Sequence, residues 1–193
     1  MEVNVRVVGV EMATKRLAAM GKSIIPVLRG TLNTGATATR TERYVKPLRG
    51  TIKPARSRGA LRIKRANSRR LNSRIIPSSS GVPITDYSSW GYDPIDATRA
   101  RLWVKGPNGK KVAAGFVNPS SRGKLPLATK SSRARNKATG PKAYGYRLPL
   151  GAAMAPSVAY WFKQLSGAQT VRWTNIFLQK EFEKRIRREL AKA

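Results

Sequence analysis

The sequence predicts an α+β fold: a small, mostly antiparallel sheet packed against a long helix in the N-terminal half, with a C-terminal amphipathic helix and long basic loops. Three observations carry this. Apolar residues recur at steps of three and four over residues 23–43 and 168–190, the period of a helix with one buried face. Between these stretches lie short runs rich in Val, Ile and Ala, bounded by Gly, Pro and Asn, as strands and tight turns require. Tracts dense in Lys, Arg, Ser and Gly interrupt both, with too little apolar content to join a core.

Taken in order, Val3, Val5, Val7, Val8 and Val10 read as a strand, alternating at first and then continuous. Residues 11–20 read as a short amphipathic helix, with Met12, Leu17 and Met20 apolar, Lys15 and Arg16 polar, and Gly21 as its stop. Ser23 suits the N-cap of a second helix, and Pro26 falls in its first turn, where a missing N–H costs little. This helix runs to about Arg43. Its inner face, Val27, Leu28, Leu32, Gly35, Ala36 and Thr39, shrinks along its length, so that end is expected to press closely on a sheet or another helix.

Pro47, Gly50, Pro54 and Gly59 punctuate the next segment, and residues 60–67 suit a helix and an extended arm equally. Residues 73–76, 82–85 and 100–105 read as strands, and Pro107-Asn108-Gly109 as a tight turn before a returning strand, 111–117. Residues 118–142 read as a mobile basic loop and residues 155–165 as a short helix. The last helix, 168–190, carries the stripe Val171, Leu178, Phe182, Ile186 and Leu190. Trp173, Ile176 and Phe177 widen that stripe into a second apolar edge suited to subunit contact. The length suits a single domain, 1–193, with a basic segment at 46–74 and the basic loop at 118–142.

The charge distribution narrows the function. Thirty-nine Lys and Arg face nine Asp and Glu, a net +30, and no acid lies between Arg43 and Thr85 or between Ala97 and Lys180. Such a surplus opposes compaction unless a polyanion or an acidic neighbour screens it. Candidate contacts to nucleic acid or an acidic partner are Arg56, Arg58, Arg62, Lys64, Arg65, Arg69, Arg70 and Arg74, with Arg133, Arg135 and Lys137 in the later loop. Were residues 60–73 helical, Arg58, Arg62, Arg65 and Arg69 would follow one another along one face. Solvation alone, or pairing with acids of a neighbouring subunit, is the plainer alternative, but a surplus this large favours a polyanion or an acidic protein, between which composition does not choose. Trp90, Tyr92, Tyr144 and Tyr146 offer stacking surfaces, though aromatics near glycines more often anchor packing.

Little points to catalysis. The chain has no His and no Cys, which removes the usual neutral-pH base, thiolate metal ligands and disulfides. Asp86, Asp93 and Asp96 form the one central acidic cluster, and their spacing matches no ion-binding loop; turn chemistry or a counterweight to nearby arginines explains them. No metal, cofactor or enzymatic activity is expected. The N-terminus lacks the features of a signal peptide, and no apolar run reaches the ~20 residues of a membrane span, so a soluble protein is expected.

The order of features goes beyond charge. Ser23-x-x-Pro26 leads into a small-residue helix ending Thr39-Arg40-x-x-Arg43. Lys64-Arg65-Ala66, Leu71-Asn72-Ser73-Arg74-Ile75-Ile76 and Val82-Pro83-Ile84 follow, then Ala113-Ala114-Gly115-Phe116-Val117 with Ser121-Arg122-Gly123-Lys124 behind it. Leu148-Pro149-Leu150 and Ala155-Pro156-Ser157-Val158 precede the terminal helix. In length and order this resembles the minor tail protein Z family, the tail completion proteins of long-tailed bacteriophages, over most of the chain. It departs from the family pattern at Leu125-Pro126-Leu127-Ala128-Thr129-Lys130, where an Arg is usual, and residues 88–98 read as an insertion.

The resemblance implies a virion structural protein, made in the host cytoplasm and placed at the head-proximal neck of the tail, where it completes the tail for head joining. Its implied partners are the tail terminator, tail tube and head–tail connector proteins, further copies of itself in a ring, with six-fold symmetry the default for such tails, and phage DNA in the channel. No membrane is involved. A ribosomal or other RNA-binding structural protein is the alternative, and a nonspecific DNA-compacting protein a third reading.

Overall fold

The computed structural model describes residues 7–21, 23–96, 100–118, 122–129 and 150–192. The fold is α+β, with antiparallel strands and a long helix in the N-terminal half. The chain forms two compact units from interleaved segments: one from the segments up to Pro47, Arg58–Ser78 and from Phe162 onward, the other from Leu48–Ser57 and Ser79–Trp161.

In the first unit, helix α1 (Val10–Ala19) is followed by α2 (Ile25–Thr39), which widens into a π-helical turn over Arg40–Val45 and ends in the short α3 (Lys46–Leu48). Pro26 sits in the first turn, as the sequence predicts, but the N-cap is Ile24 rather than Ser23: the Ile24 carbonyl accepts the Leu28 N–H at 3.0 Å, and Ser23 Oγ, one residue further out, accepts the Ile25 N–H at 3.3 Å. The C-terminal helix α6 (Ala168–Leu190) packs along α2. The small-residue end of α2 makes this close: a Cβ on Gly35 would stand 2.2 Å from Leu178 Cδ2. Beside it, the Thr39 and Thr174 hydroxyls meet at 3.3 Å. At the other end of α2, Ala13 and Leu17 of α1 form a core with Val27 and Phe182. The π-helical turn brings Tyr44 inward, stacked on Phe162 at 4.3 Å, with its hydroxyl 3.0 Å from Ser166 Oγ. Burial pushes the Tyr44 phenol up, against the opposing pull of the Ser166 hydrogen bond and the Arg43 charge.

The expected N-terminal strand is corrected where it is described. Val8 and Gly9 form a turn and Val10 opens α1; Gly9, at φ 84°, supplies the left-handed backbone that turns the chain. Val3 and Val5 lie outside the described residues. The alternative of a helix over residues 60–73 is likewise not adopted: β1 (Leu61–Lys64) and β2 (Arg74–Pro77) pair antiparallel instead.

In the second unit, β4 (Trp90–Pro94), β5 (Ala100–Gly106), β6 (Gly109–Phe116), β7 (Leu127–Thr129) and β8 (Leu150–Ala152) form one antiparallel sheet in that order. Along β5, Ala100, Leu102, Val104 and Gly106 are buried while Arg101 and Lys105 are exposed, the period of two that a half-buried strand requires. The Asn108-Gly109 hairpin forms as predicted. A separate pair joins β3 (Val82–Pro83) to β9 (Met154–Ala155), and Ile84–Asp86 turns as a short 3₁₀ segment rather than continuing the strand.

Three further expectations change. Residues 88–98, read as an insertion, supply the edge strand β4: Trp90 and Tyr92 are good strand formers, and Pro94 is tolerated at a sheet edge. Residues 118–142, read as a mobile loop, contain β7 at Leu127–Thr129; residues 119–121 and 130–149 lie outside the described residues. Helix α5 (Val158–Leu165) starts three residues later than predicted, because Ala155, before Pro156, is held in β9. Tyr87 is 2% exposed, donates to the Pro156 carbonyl at 2.6 Å and accepts from Trp161 Nε1 at 2.8 Å.

Candidate polyanion interface

The basic segment becomes an ordered β-hairpin. Its registers are Leu61↔Pro77, Arg62↔Ile76, Ile63↔Ile75 and Lys64↔Arg74. Leu61 is buried and Ile63 and Ile75 are half-buried, while Arg62, Lys64, Arg74 and Ile76 are exposed. Because directly opposed residues share a face, Arg62, Lys64 and Arg74 lie together on the outer one. Lys64 and Arg74 face each other directly, a like-charge pair that weakens a free ribbon.

The connecting loop holds its shape through Asn67, whose Oδ1 accepts the Arg69 N–H at 3.0 Å and the Arg70 N–H at 2.8 Å. The Asn67 N–H closes the turn on the Arg70 carbonyl at 3.0 Å. Arg69 and Arg70 are thus fixed by their backbones, with both side chains exposed. A second asparagine ties the loop to α2: Asn33 Oδ1 accepts the Ala66 N–H at 2.8 Å, and its Nδ2 donates to the Ala66 carbonyl at 3.1 Å. Arg40 Nη1 donates to the Leu61 carbonyl at 3.5 Å.

The predicted contact residues therefore divide. Arg62, Lys64, Arg65, Arg69, Arg70 and Arg74 come together on the hairpin, and among the described residues none is paired with a carboxylate. Arg58 is exposed at the end of α4 (Pro54–Gly59) and belongs to the same unit. Because residues 61–64 are extended, Arg58, Arg62, Arg65 and Arg69 do not share a helical face. Arg56 differs: its Nε lies 3.8 Å from Asp86, which also takes Lys53 at 3.4 Å. Asp86 thus acts as a structural counterweight, whereas Asp93, opposite Arg101 in register, accepts the Trp103 Nε1–H at 3.1 Å. Arg133, Arg135 and Lys137, and the aromatics Tyr144 and Tyr146, lie outside the described residues.

On α6, Trp173 and Phe177 stack at 5.2 Å and are half-buried, while neighbouring Ile176 is 52% exposed, so of the three expected subunit-contact residues only Ile176 is fully at the surface. In the sheet unit, Lys110 sits 4.1 Å above Trp103 and Lys111 is 5.5 Å from the Tyr160 ring centroid, arrangements that hold lysines on aromatic faces. Sequence reasoning missed Asn33 and Asn67, which position the basic loop. Asn67 carried a usable signal: an asparagine between two short β-branched runs marks a hairpin turn. Asn33 carried none, because its role depends on a partner 33 residues away.

Among the described residues no group of acids could hold a metal ion, and no helix is long and apolar enough to cross a membrane. No family model matches the chain, and comparison with curated proteins and with solved structures finds no match.

Proposed function

We propose that this protein is a virion structural component at the head-proximal end of a long phage tail, where it completes the tail for head joining and its basic hairpin meets the genome end. The observation that carries the reading is the acid-free hairpin, held by Asn33 and Asn67 so that six cations are presented from an ordered scaffold. Charges that are merely solvated need no such positioning. Phosphates spaced along a nucleic acid would neutralise the Lys64/Arg74 repulsion and take up Arg69 and Arg70 at the turn. The lack of His and Cys favours a structural over a catalytic role. The tail assignment rests on the resemblance, in length and order of features, to the tail completion family; ring formation through Trp173, Ile176 and Phe177 belongs to the same proposal.

Particles assembled without this chain test the assignment. Tails that form but do not join heads, with joining restored by adding the protein, are the expected result. Normal particles, or a protein that cofractionates with ribosomes, would overturn it and favour the RNA-binding alternative.

A further inference from the structure

The two-stranded sheet leaves one edge open. The Ser78 N–H donates to the Ala60 carbonyl at 2.8 Å, which fixes the phase of the ladder. Hydrogen-bonded and non-hydrogen-bonded pairs alternate in an antiparallel ribbon, so Arg62↔Ile76 and Lys64↔Arg74 exchange the main-chain bonds. The N–H and C=O of Ile75 then point away from β1, and among the described residues no strand pairs with that edge. Alongside it runs a groove of about 640 Å³, bounded by residues 71–77 and by α2 and α6. Its hydroxyls are already satisfied: Thr39 pairs with Thr174 and Tyr44 with Ser166. The remaining floor, including Leu32, Val171 and Leu178, is apolar.

We propose that the open edge of β2 takes an extended acidic segment of a partner protein as a third strand. Two strands of four residues with a like-charge pair form a weak sheet, and a third strand supplies what they lack. The alternation dictates the ligand's pattern. Residues beside Ile75 enter the groove and are apolar; residues beside Arg74 lie on the outer face, where Arg62, Lys64 and Arg74 favour carboxylates. A nucleic acid has no peptide N–H and C=O groups to match the edge. A second copy of this chain brings +30 against +30. The main-chain edge plays no part in phosphate binding and the proposal does not depend on that role, but the outer-face cations Arg62, Lys64 and Arg74 are common to both, so the two ligands compete for them.

The test uses the full chain and a labelled, end-blocked peptide alternating Glu and Val over seven residues, followed by fluorescence anisotropy and amide hydrogen exchange. Saturable binding is expected, with the Ile75 amide protected when the peptide is bound. Peptides N-methylated on one or the other alternate set of amides separate a backbone ladder from charge attraction: one set weakens binding by about tenfold or more. An oligo-glutamate of equal charge is expected to bind at least about tenfold more weakly, since it fills no groove. Ile75→Pro removes the outward N–H without breaking a bond to β1, and also replaces a half-buried side chain lining the groove; it is expected to lower peptide affinity while duplex DNA binding persists, and the N-methylated peptides separate the two effects. Should that variant fail to fold, the N-methylated peptides still decide. No binding, equal affinity for the N-methylated or oligo-glutamate peptides, or binding without Ile75 protection would overturn the proposal.

Discussion

The double substitution Arg69→Gln/Arg70→Gln isolates the tip of the hairpin. Asn67 Oδ1 holds the backbone N–H groups of both residues, so the turn survives loss of the guanidinium groups. If Arg62, Lys64, Arg65, Arg69, Arg70 and Arg74 each meet a phosphate, the hairpin contributes a slope of roughly −5 to log K against log salt, about −0.9 per contact. Raising salt from 50 to 200 mM then weakens binding by about 10³-fold, and the double variant makes the slope shallower by roughly 2. Anisotropy of a labelled duplex over that salt range measures both. Lys53→Gln is the matched control, because Lys53 already faces Asp86 at 3.4 Å. An unchanged slope in the double variant, or an equal change in the control, would refute the assignment of phosphate contacts to the hairpin.

The remaining predictions concern the scaffold. Tyr87→Phe leaves the Trp161 N–H and the Pro156 carbonyl without their buried partner, and urea denaturation at pH 7 should register a loss of about 2–4 kcal/mol. Burial, opposed by the Trp161 hydrogen bond, pushes the Tyr87 phenol from 10.0 up to about 12, so the folded state holds a proton that the unfolded chain releases. That stability is fully present below about pH 10 and declines as pH rises through 12, by up to roughly 3 kcal/mol; a wild type and Tyr87→Phe that decline in parallel between pH 9 and 11 would contradict it. Gly35→Val forces a side chain into Leu178 and should cost about 1–3 kcal/mol, partly recovered by Leu178→Ala in the same chain, as a double-mutant cycle would read. Arg74→Glu turns the opposed like charges into an opposite pair; thermal melts should show the free protein stabilised by up to about 1 kcal/mol while duplex affinity falls.

What the sequence revealed was what local periodicity can carry. The terminal helix matches its predicted span, because its repeat of Leu178, Phe182, Ile186 and Leu190 is unbroken. The small-residue face of α2 correctly signalled close packing, and the structure identifies α6 as the neighbour. The hairpin was harder to read. In residues 61–64 alternation spans only four positions, too few to separate a strand from a helical turn, and arginines fit both. Strand β4 was hidden because its Asp93-Pro94 resembles a turn until β5 lies beside it. Of the site, the charges were legible and their assembly was not: Asn33 must reach Ala66, and Lys64 must meet Arg74, before the cations share a surface.

The opposed charges on the hairpin give salt two effects of opposite sign. In the free protein, screening relieves the Lys64/Arg74 repulsion and the wider excess of +30, so added salt should raise the urea midpoint. In a complex with polyanion, the same salt weakens binding. A ligand at about 100 times its dissociation constant stabilises the folded state by roughly 2.7 kcal/mol, so weakening it lowers the midpoint. Urea titrations with and without duplex at 50 and 200 mM KCl should therefore move in opposite directions and converge at high salt. Merely solvated charges predict the same small rise in both series. A midpoint for the mixture that climbs with salt in parallel with the free protein would remove the reason for holding these cations on an ordered ribbon.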